Sequence, residues 1–338
     1  MFQWRYNALL YRTIIRRWRK NELFSHLNSR YAVSHRYQHT STASTKIGSD
    51  YNSSHEYIYV LDLSKLHVSI TTMLYIEEIL MRASKHNWIV YNTVPHSTNG
   101  IVMGIGGDAS TLVNIDNCVS DNIPVYKRFT GGGTVYIDEN VRFVSLIVNE
   151  SALPNLKLWP RHIMSYTQQL YNNVFTNTGT TQFILRDNDY CFGNLKFAGN
   201  AQSITSRRWL HHTSFLYDYN IDAIEKYLLL PAKQPEYRQR RPHSDFICRM
   251  KDYINTDLYD IPSFQHKITQ SAAQWFKATD QPIDMPLSDN TAQISNQLVD
   301  ELNITDEMIN VVPLLAEVKR LQQYGKYTIG TKQVQLAR

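Results

Sequence analysis

Cysteine is scarce: the chain has three in 338 residues, none in a Cys-x-x-Cys pair. That excludes a disulfide scaffold and a thiolate zinc site. No stretch approaches 18 consecutive apolar residues, which excludes a membrane span by a helix. Charged side chains make up only 19% of the chain, yet 43% of residues are hydrophobic and 12% aromatic, a composition that excludes wholesale disorder. The Gly-Lys-Ser/Thr of a P-loop is missing, and Gly104-Ile105-Gly106-Gly107 lacks the third glycine of a dinucleotide fingerprint. What remains is a globular protein of a reducing compartment, with apolar material for one large core or a core plus an appendage.

Acids are nearly missing from the first 47 residues. Nine Arg and Lys side chains there face one acid, Glu22, so this stretch carries +8 and the other 291 residues carry −3. The basic balance of the whole chain therefore does not describe its working surface. Trp4, Leu9, Leu10, Ile14, Ile15 and Trp18 interleave with the arginines at spacings that give a helix an apolar face, and a Ser/Thr-rich run, Thr40 to Thr45, follows. Arg-rich, acid-poor, Ser-rich and amphipathic is the composition of an organelle transit peptide. A basic arm that contacts RNA or anionic lipid is the alternative. Residues 1–50 are accordingly set apart from the fold.

The rest of the chain predicts strands at Tyr57 to Leu63, Trp88 to Tyr91, Gly100 to Ile105, Thr134 to Ile137 and Val141 to Ile147, then near 182–192, 196–204 and 209–217. Helices are expected over 70–84, with Glu77 and Glu78 on the polar side, over 160–176, and over 221–230 up to Pro231. Strands follow one another through short turns, which predicts an α+β fold with a mixed, largely antiparallel sheet flanked by helices. The texture changes after about residue 255. Residues 51–255 are expected to form the catalytic domain and 256–338 a C-terminal appendage, with helices at 263–278, 298–311 and 313–324 and a strand-like tail at 326–336.

The most informative stretch is Lys127-Arg128-Phe129-Thr130-Gly131-Gly132-Gly133-Thr134. Three glycines between two strands weaken a sheet, but they let main chain approach a ligand closely and aim successive N–H groups at an anion. Arg128 and Lys127 stand beside them to neutralise charge. A plain hairpin or bulge is the alternative. The second stretch, Asn188 to Ser203, places Lys196 in a strand before Gly199, Asn200 and Gln202; a lysine facing a pocket stabilises negative charge on a phosphate or carboxylate. The third holds His211 and His212, which point to opposite faces of a strand and so cannot both line one site without a bulge. No metal-ligand set is expected.

Together these stretches resemble the lipoate-protein ligase branch of the biotin/lipoate protein ligase superfamily. Its pattern Arg-Arg-x-Ser/Thr-Gly-Gly-Gly-x-Val-x-x-Asp is matched by Lys127 to Asp138, and its Lys-x-x-Gly-Asn/Ser-Ala by Lys196, Gly199, Asn200 and Ala201. Its His-Gly/Thr step is matched by His212-Thr213, and Leu230 to His243 resembles a eukaryotic subgroup. The resemblance covers residues from about 57 to 250. It implies activation of lipoate or octanoate with ATP and Mg²⁺ as an acyl-AMP, in the mitochondrial matrix. The acyl group would then pass to a lysine on the lipoyl carrier domain of a 2-oxoacid dehydrogenase or on the glycine cleavage H protein. By the same resemblance Lys196 is the catalytic cation that bridges acyl carbonyl and phosphate. Gly131, Gly132 and Gly133 wrap the acyl-adenylate, Arg128 lies near its charged end, and Asp138 holds metal or loop. Thr130, Gly199, Asn200, Ala201 and His212 complete the binding set.

The chain departs from the pattern at Ile105, Gly106 and Gly107, where the family often has an arginine and an amide, and at Lys127, which lacks the bidentate geometry of arginine. Two alternatives stay open beside the ligase. One is ATP-independent octanoyl or lipoyl transfer through a thioester on Cys118, Cys191 or Cys248. The other is a non-catalytic scaffold subunit of a mitochondrial assembly. Biotin transfer fits the Lys196 segment less well.

Overall fold

The computed structural model describes residues 57–64, 68–95, 98–175, 182–279 and 330–336. The expected leader and the helices at 298–311 and 313–324 lie outside these residues. No described helix is long and apolar enough to cross a membrane.

In chain order the strands are β1 (Tyr57–Asp62), β2 (Asn87–Thr93), β3 (Gly100–Met103), β4 (Val125–Lys127), β5 (Val135–Ile137), β6 (Val141–Asn149), β7 (Phe183–Arg186), β8 (Asp189–Phe192), β9 (Leu195–Ile204), β10 (Arg208–Leu216), β11 (Lys277–Thr279) and β12 (Lys332–Val334). The helices are α1 (Ile70–Ala83), α2 (Ala109–Leu112), α3 (Ile115–Ser120), α4 (Pro160–Phe175), α5 (Ile221–Tyr227), α6 (His243–Phe246) and α7 (Ile261–Ala272). Eight strands form one sheet in the order β11-β1-β2-β6-β10-β9-β8-β7, and four form a second in the order β12-β4-β3-β5. Parallel pairs (β11/β1, β1/β2 and β3/β4) are outnumbered by antiparallel ones, as expected for this α+β fold. The division into two sheets was not legible in the strand spacing.

Alternation along the central strands builds a core on each face of the large sheet. Trp88, Val90, Phe143, Ile147 and Leu210 face α1 and the small sheet. Ile89, Tyr91, Val144, Trp209 and Phe215 face α4 and α7. Helix α1 starts where the Ser69 hydroxyl accepts the Thr72 N–H at 3.1 Å, and α7 starts where Asp260 accepts that of Ser263 at 2.8 Å; each such cap stabilises its helix by about 1 kcal/mol.

Three expected elements differ. The span 182–192 folds as a hairpin of β7 and β8 around Asp187, whose φ of 53° is left-handed and which, as an aspartate, tolerates it. Helix 221–230 ends at Tyr227, because Leu228 leaves to bridge Val113. Helix 263–278 ends at Ala272, and β11 then extends the large sheet beside β1. Residues 256–279 therefore pack on the main sheet, and β12 pairs with β4. Gly330 and Thr331 donate their N–H groups to the Glu78 carboxylate at 2.7 and 3.1 Å. Glu78 and Glu77 are both buried, contrary to the polar side read from helical spacing; Glu77 meets His212 and Ser145 on the large sheet, and Glu78 meets Gly330, Thr331 and Arg82.

Candidate functional site

The three glycines form a loop between β4 and β5 pressed between two strands. Gly132 has a φ of +104°, and a Cβ there would stand 2.7 Å from both the Arg128 Nη2 and the Asn200 carbonyl. A Cβ on Gly104 would meet the Gly132 carbonyl at 2.4 Å. Only glycine permits both the close approach and the left-handed backbone. Main-chain bonds fix the sandwich: Gly131 N–H donates to Gln202 O at 3.0 Å, and Ile105 N–H to Thr130 O at 2.9 Å. The turn at Ile105 thus keeps its contact with the loop although it lacks the family's cation.

Arg128 is buried, and its guanidinium donates inward to Gly131 O at 3.0 Å, Gly133 O at 2.8 Å and Val102 O at 3.3 Å. Burial pulls its pKa down to about 10, opposed by the Glu77 carboxylate, so it stays charged at neutral pH. Arg128 therefore shapes the loop from inside as well as lining the cavity. Its Nε, with Thr130 Oγ1 and Thr134 Oγ1, is buried without a hydrogen-bond partner. An unpaired buried polar atom costs about 1–3 kcal/mol, and two of these three belong to residues that line the cavity, Arg128 and Thr134, which favours a polar ligand there.

Lys196 reaches the same cavity because β9 is bulged. Tyr190 pairs with Ala198 and Cys191 with Lys196, leaving Phe197 unmatched on β8. Such bulges re-aim neighbouring side chains. The Phe197 ring stacks on Phe192 at 4.2 Å behind the sheet, while Lys196 faces the cavity. Lys196 Nζ lies 2.6 Å from Asp189 Oδ1.

The third contribution comes from β10, buried at every position although it carries His211-His212-Thr213-Ser214. Buried polar side chains need partners. His212 Nδ1 lies 2.9 Å from Glu77 Oε1, and Ser145 donates to the same oxygen at 2.6 Å. His211 points to the other face, beside Tyr190 and Thr213, and burial pulls its pKa down to about 3. The two histidines serve different faces, as their adjacency requires.

The cavity encloses about 50 Å³. Arg128, Gly133, Lys196, Asn200 and His212 supply its polar wall, and Gly199 and Ala201 also line it. Ile70, Leu74, Val102, Val135, Ile137 and Phe143 supply an apolar one. Thr130, Gly131 and Gly132 stand behind this wall and hold the loop. Asp138 does not line the cavity: its carboxylate accepts the Asn140 N–H at 2.9 Å, and burial raises its pKa. It secures the turn into β6. Among the described residues no cluster of three His, Cys, Asp or Glu could hold a metal. The sequence reading missed Glu77, Ser145 and Asp189. An acidic pair inside the apolar run Leu74-Tyr75-Ile76-Glu77-Glu78-Ile79-Leu80 was the available signal for the first.

All three cysteines are buried thiols. Burial pushes Cys191 up to about 11 and Cys248 up to about 12, and Cys118 upward too. A nucleophilic cysteine needs the opposite shift.

Residues 69–273 match the lipoyl protein ligase A/B catalytic domain, and the chain belongs to that family. It is 28% identical over 262 residues to the inactive lipoate–protein ligase 2 of Plasmodium falciparum, covering 62% of this chain and 68% of that protein. Bacterial and archaeal lipoate–protein ligases match at 21–30% identity over 38–54% of their own length. Solved structures share the fold. The bipartite lipoate protein ligase of Thermoplasma acidophilum, described with its E2 lipoyl domain, superposes with a TM-score of 0.53 at 14% identity, over 75% of this chain and 96% of that one. A lipoate-protein ligase A bound with ATP gives 0.52 at 13% identity, over 76% and 98%.

Proposed function

We propose that this chain is a lipoate- or octanoate-protein ligase that works through an acyl-adenylate. The observation that carries the reading is that Lys196 and the glycine loop wall one slot with a polar side and an apolar side. The apolar side suits a medium-length acyl chain, and the loop's unpartnered Arg128 Nε and Thr134 Oγ1 suit a phosphate group. In the first half-reaction a carboxylate oxygen attacks the α-phosphorus of ATP and pyrophosphate leaves. In the second, a carrier lysine amine attacks the acyl carbonyl, AMP leaves, and the amine gives up a proton. Lys196 stabilises charge on the carbonyl oxygen and phosphate, while Arg128, Gly133 and Thr134 on the cavity wall orient them. ATP supplies the leaving-group energy, and Mg²⁺ travels with its phosphates. The acid-poor, basic start of the chain supports delivery to the mitochondrial matrix, where a fusion of residues 1–50 to a fluorescent protein tests it.

The test of activity mixes the purified chain with ATP, Mg²⁺, lipoate or octanoate and an apo-lipoyl domain, and follows the acceptor by mass spectrometry. An acyl mass shift that Lys196→Ala abolishes is expected. No transfer with either acid refutes the reading.

One observation favours a second reading, the non-catalytic scaffold: both Arg128 Nη groups already bond main-chain carbonyls, leaving only Nε, and the slot is narrow. Calorimetry with ATP and a lipoyl-AMP analogue separates the two, since a scaffold binds neither.

A further inference from the structure

The structure assigns Asp189 and Tyr237 as positioning residues that hold the Lys196 ammonium at the slot; the inference deepens the ligase reading and rests on it. Lys196 ends a flexible four-carbon stem, which an active cation must not leave free to wander. Its Nζ is bound 2.6 Å from Asp189 Oδ1, with the two side chains only 24% and 13% exposed. The other oxygen of that carboxylate accepts the Tyr237 hydroxyl at 2.7 Å, which fixes its plane. An ammonium has three N–H donors. One serves Asp189, and two remain for an anion in the cavity.

Tyr237 is delivered by a segment built for the purpose. It lies in the turn Glu236–Arg238, which is followed by Gln239 and Arg240, both left-handed at φ 53° and 58°. Two successive non-glycine residues in that region are uncommon, and such backbone persists only where its surroundings enforce it. Here Arg238 Nε donates to Arg241 O at 3.0 Å, and Arg241 Nε donates back to Arg238 O at 3.1 Å. Arg241 Nη2 also donates to Asn194 O, in the turn between β8 and β9, at 3.1 Å. The segment is thereby tied to the hairpin that carries Asp189 and Lys196, so carboxylate, brace and ammonium move as one unit.

The test has an arm independent of activity. The full-length chain is treated with a limiting amine-acetylating reagent, and Lys196 modification is timed by peptide mass spectrometry, with Lys226 and Lys251 as internal references. Asp189→Asn, which can still accept from Tyr237, should speed Lys196 acetylation by about tenfold, the loss of one charge-assisted bond. Tyr237→Phe should speed it by about threefold, and Asp189→Glu should restore slow labelling. In the transfer assay Asp189→Asn should lower kcat by roughly 10–100-fold, as misplaced reacting groups do, with KM for the acid within about threefold. Equal labelling rates in wild type and Asp189→Asn overturn the assignment, as does an unchanged kcat in a transferring enzyme. If the wild-type chain transfers nothing, the ligase reading fails and the labelling rates still decide whether Asp189 holds Lys196.

Discussion

Replacing Gly132 by alanine tests the construction of the loop. At φ +104° an L-residue is strained by about 1–2 kcal/mol. The new methyl would stand 2.7 Å from Arg128 Nη2, which now bonds Gly131 O and Gly133 O. Moving that nitrogen away breaks at least one charge-assisted bond, worth about 1.5–3 kcal/mol. The other close neighbour, the Asn200 carbonyl, belongs to a central β9 that cannot shift cheaply. The sum is about 2.5–5 kcal/mol, and for a domain of this size each kcal/mol moves Tm by about 2–4 °C, so a fall of roughly 5–20 °C is expected. Gly133→Ala is the control for stability, because a Cβ there meets nothing within 4 Å. Scanning calorimetry on the three proteins gives the answer. A Gly132→Ala chain that melts within about 1 °C of wild type would show that the loop is not clamped as described.

Glu78→Ala removes the acceptor of the Gly330 and Thr331 N–H groups and of Arg82; amide exchange at 331–334 should quicken by at least about tenfold, while β6 and β10 stay protected. Acid should destabilise the fold through His211. Its folded pKa of about 3 lies below the ordinary 6.5, so between these values the unfolded chain binds the extra proton and stability falls as pH falls. From pH 6.5 to 5 that is about 2 kcal/mol, and urea titrations of His211→Gln should show a slope smaller by close to one proton. Cys191→Ser and Cys248→Ser should each retain ATP-dependent acyl transfer, since neither thiol has the lowered pKa of a nucleophile; loss of transfer with the fold intact in either would restore the thioester route.

What was legible in the sequence follows from how locally each feature is encoded. Three glycines in a row and the Lys196-x-x-Gly199 step are contiguous, and the structure brings both to one cavity. The His211/His212 division follows from the two-residue period of a strand. The roles of Glu77 and Asp189 were hidden because their partners are distant or unlooked for: Glu77 meets His212 across 135 positions, and Asp189 meets Lys196 only because β8 and β9 fold back with a bulge. Helical spacing also misled at Glu77, since periodicity assigns acids to the solvated face, and on α1 that face is left to Thr71, Thr72, Tyr75 and Arg82. The short β11 and β12 carry little pattern of their own, and the edges they join decide their state.

The two cations of the slot share a design that bears on how it opens. Neither stands bare: Arg128 is met by loop carbonyls and Lys196 by a carboxylate, which avoids the penalty of an unpaired buried charge. Under the proposed ligase reading, an incoming acyl-phosphate would compete with bonds already made, and its net gain would be smaller than two free cations would give. The same bonds draw the walls together, and a space of about 50 Å³ holds only a few waters. On the proposed reading an eight-carbon chain would have to displace apolar side chains such as Ile70, Leu74 and Phe143 to enter, so part of its binding energy would go into opening the slot. Truncating Leu74 to alanine enlarges that wall, and should tighten binding of the longer acid while lowering Tm. Weaker binding of the acid to Leu74→Ala, measured by calorimetry, would mean that the slot is already open wide enough and that Leu74 is a contact, not a barrier.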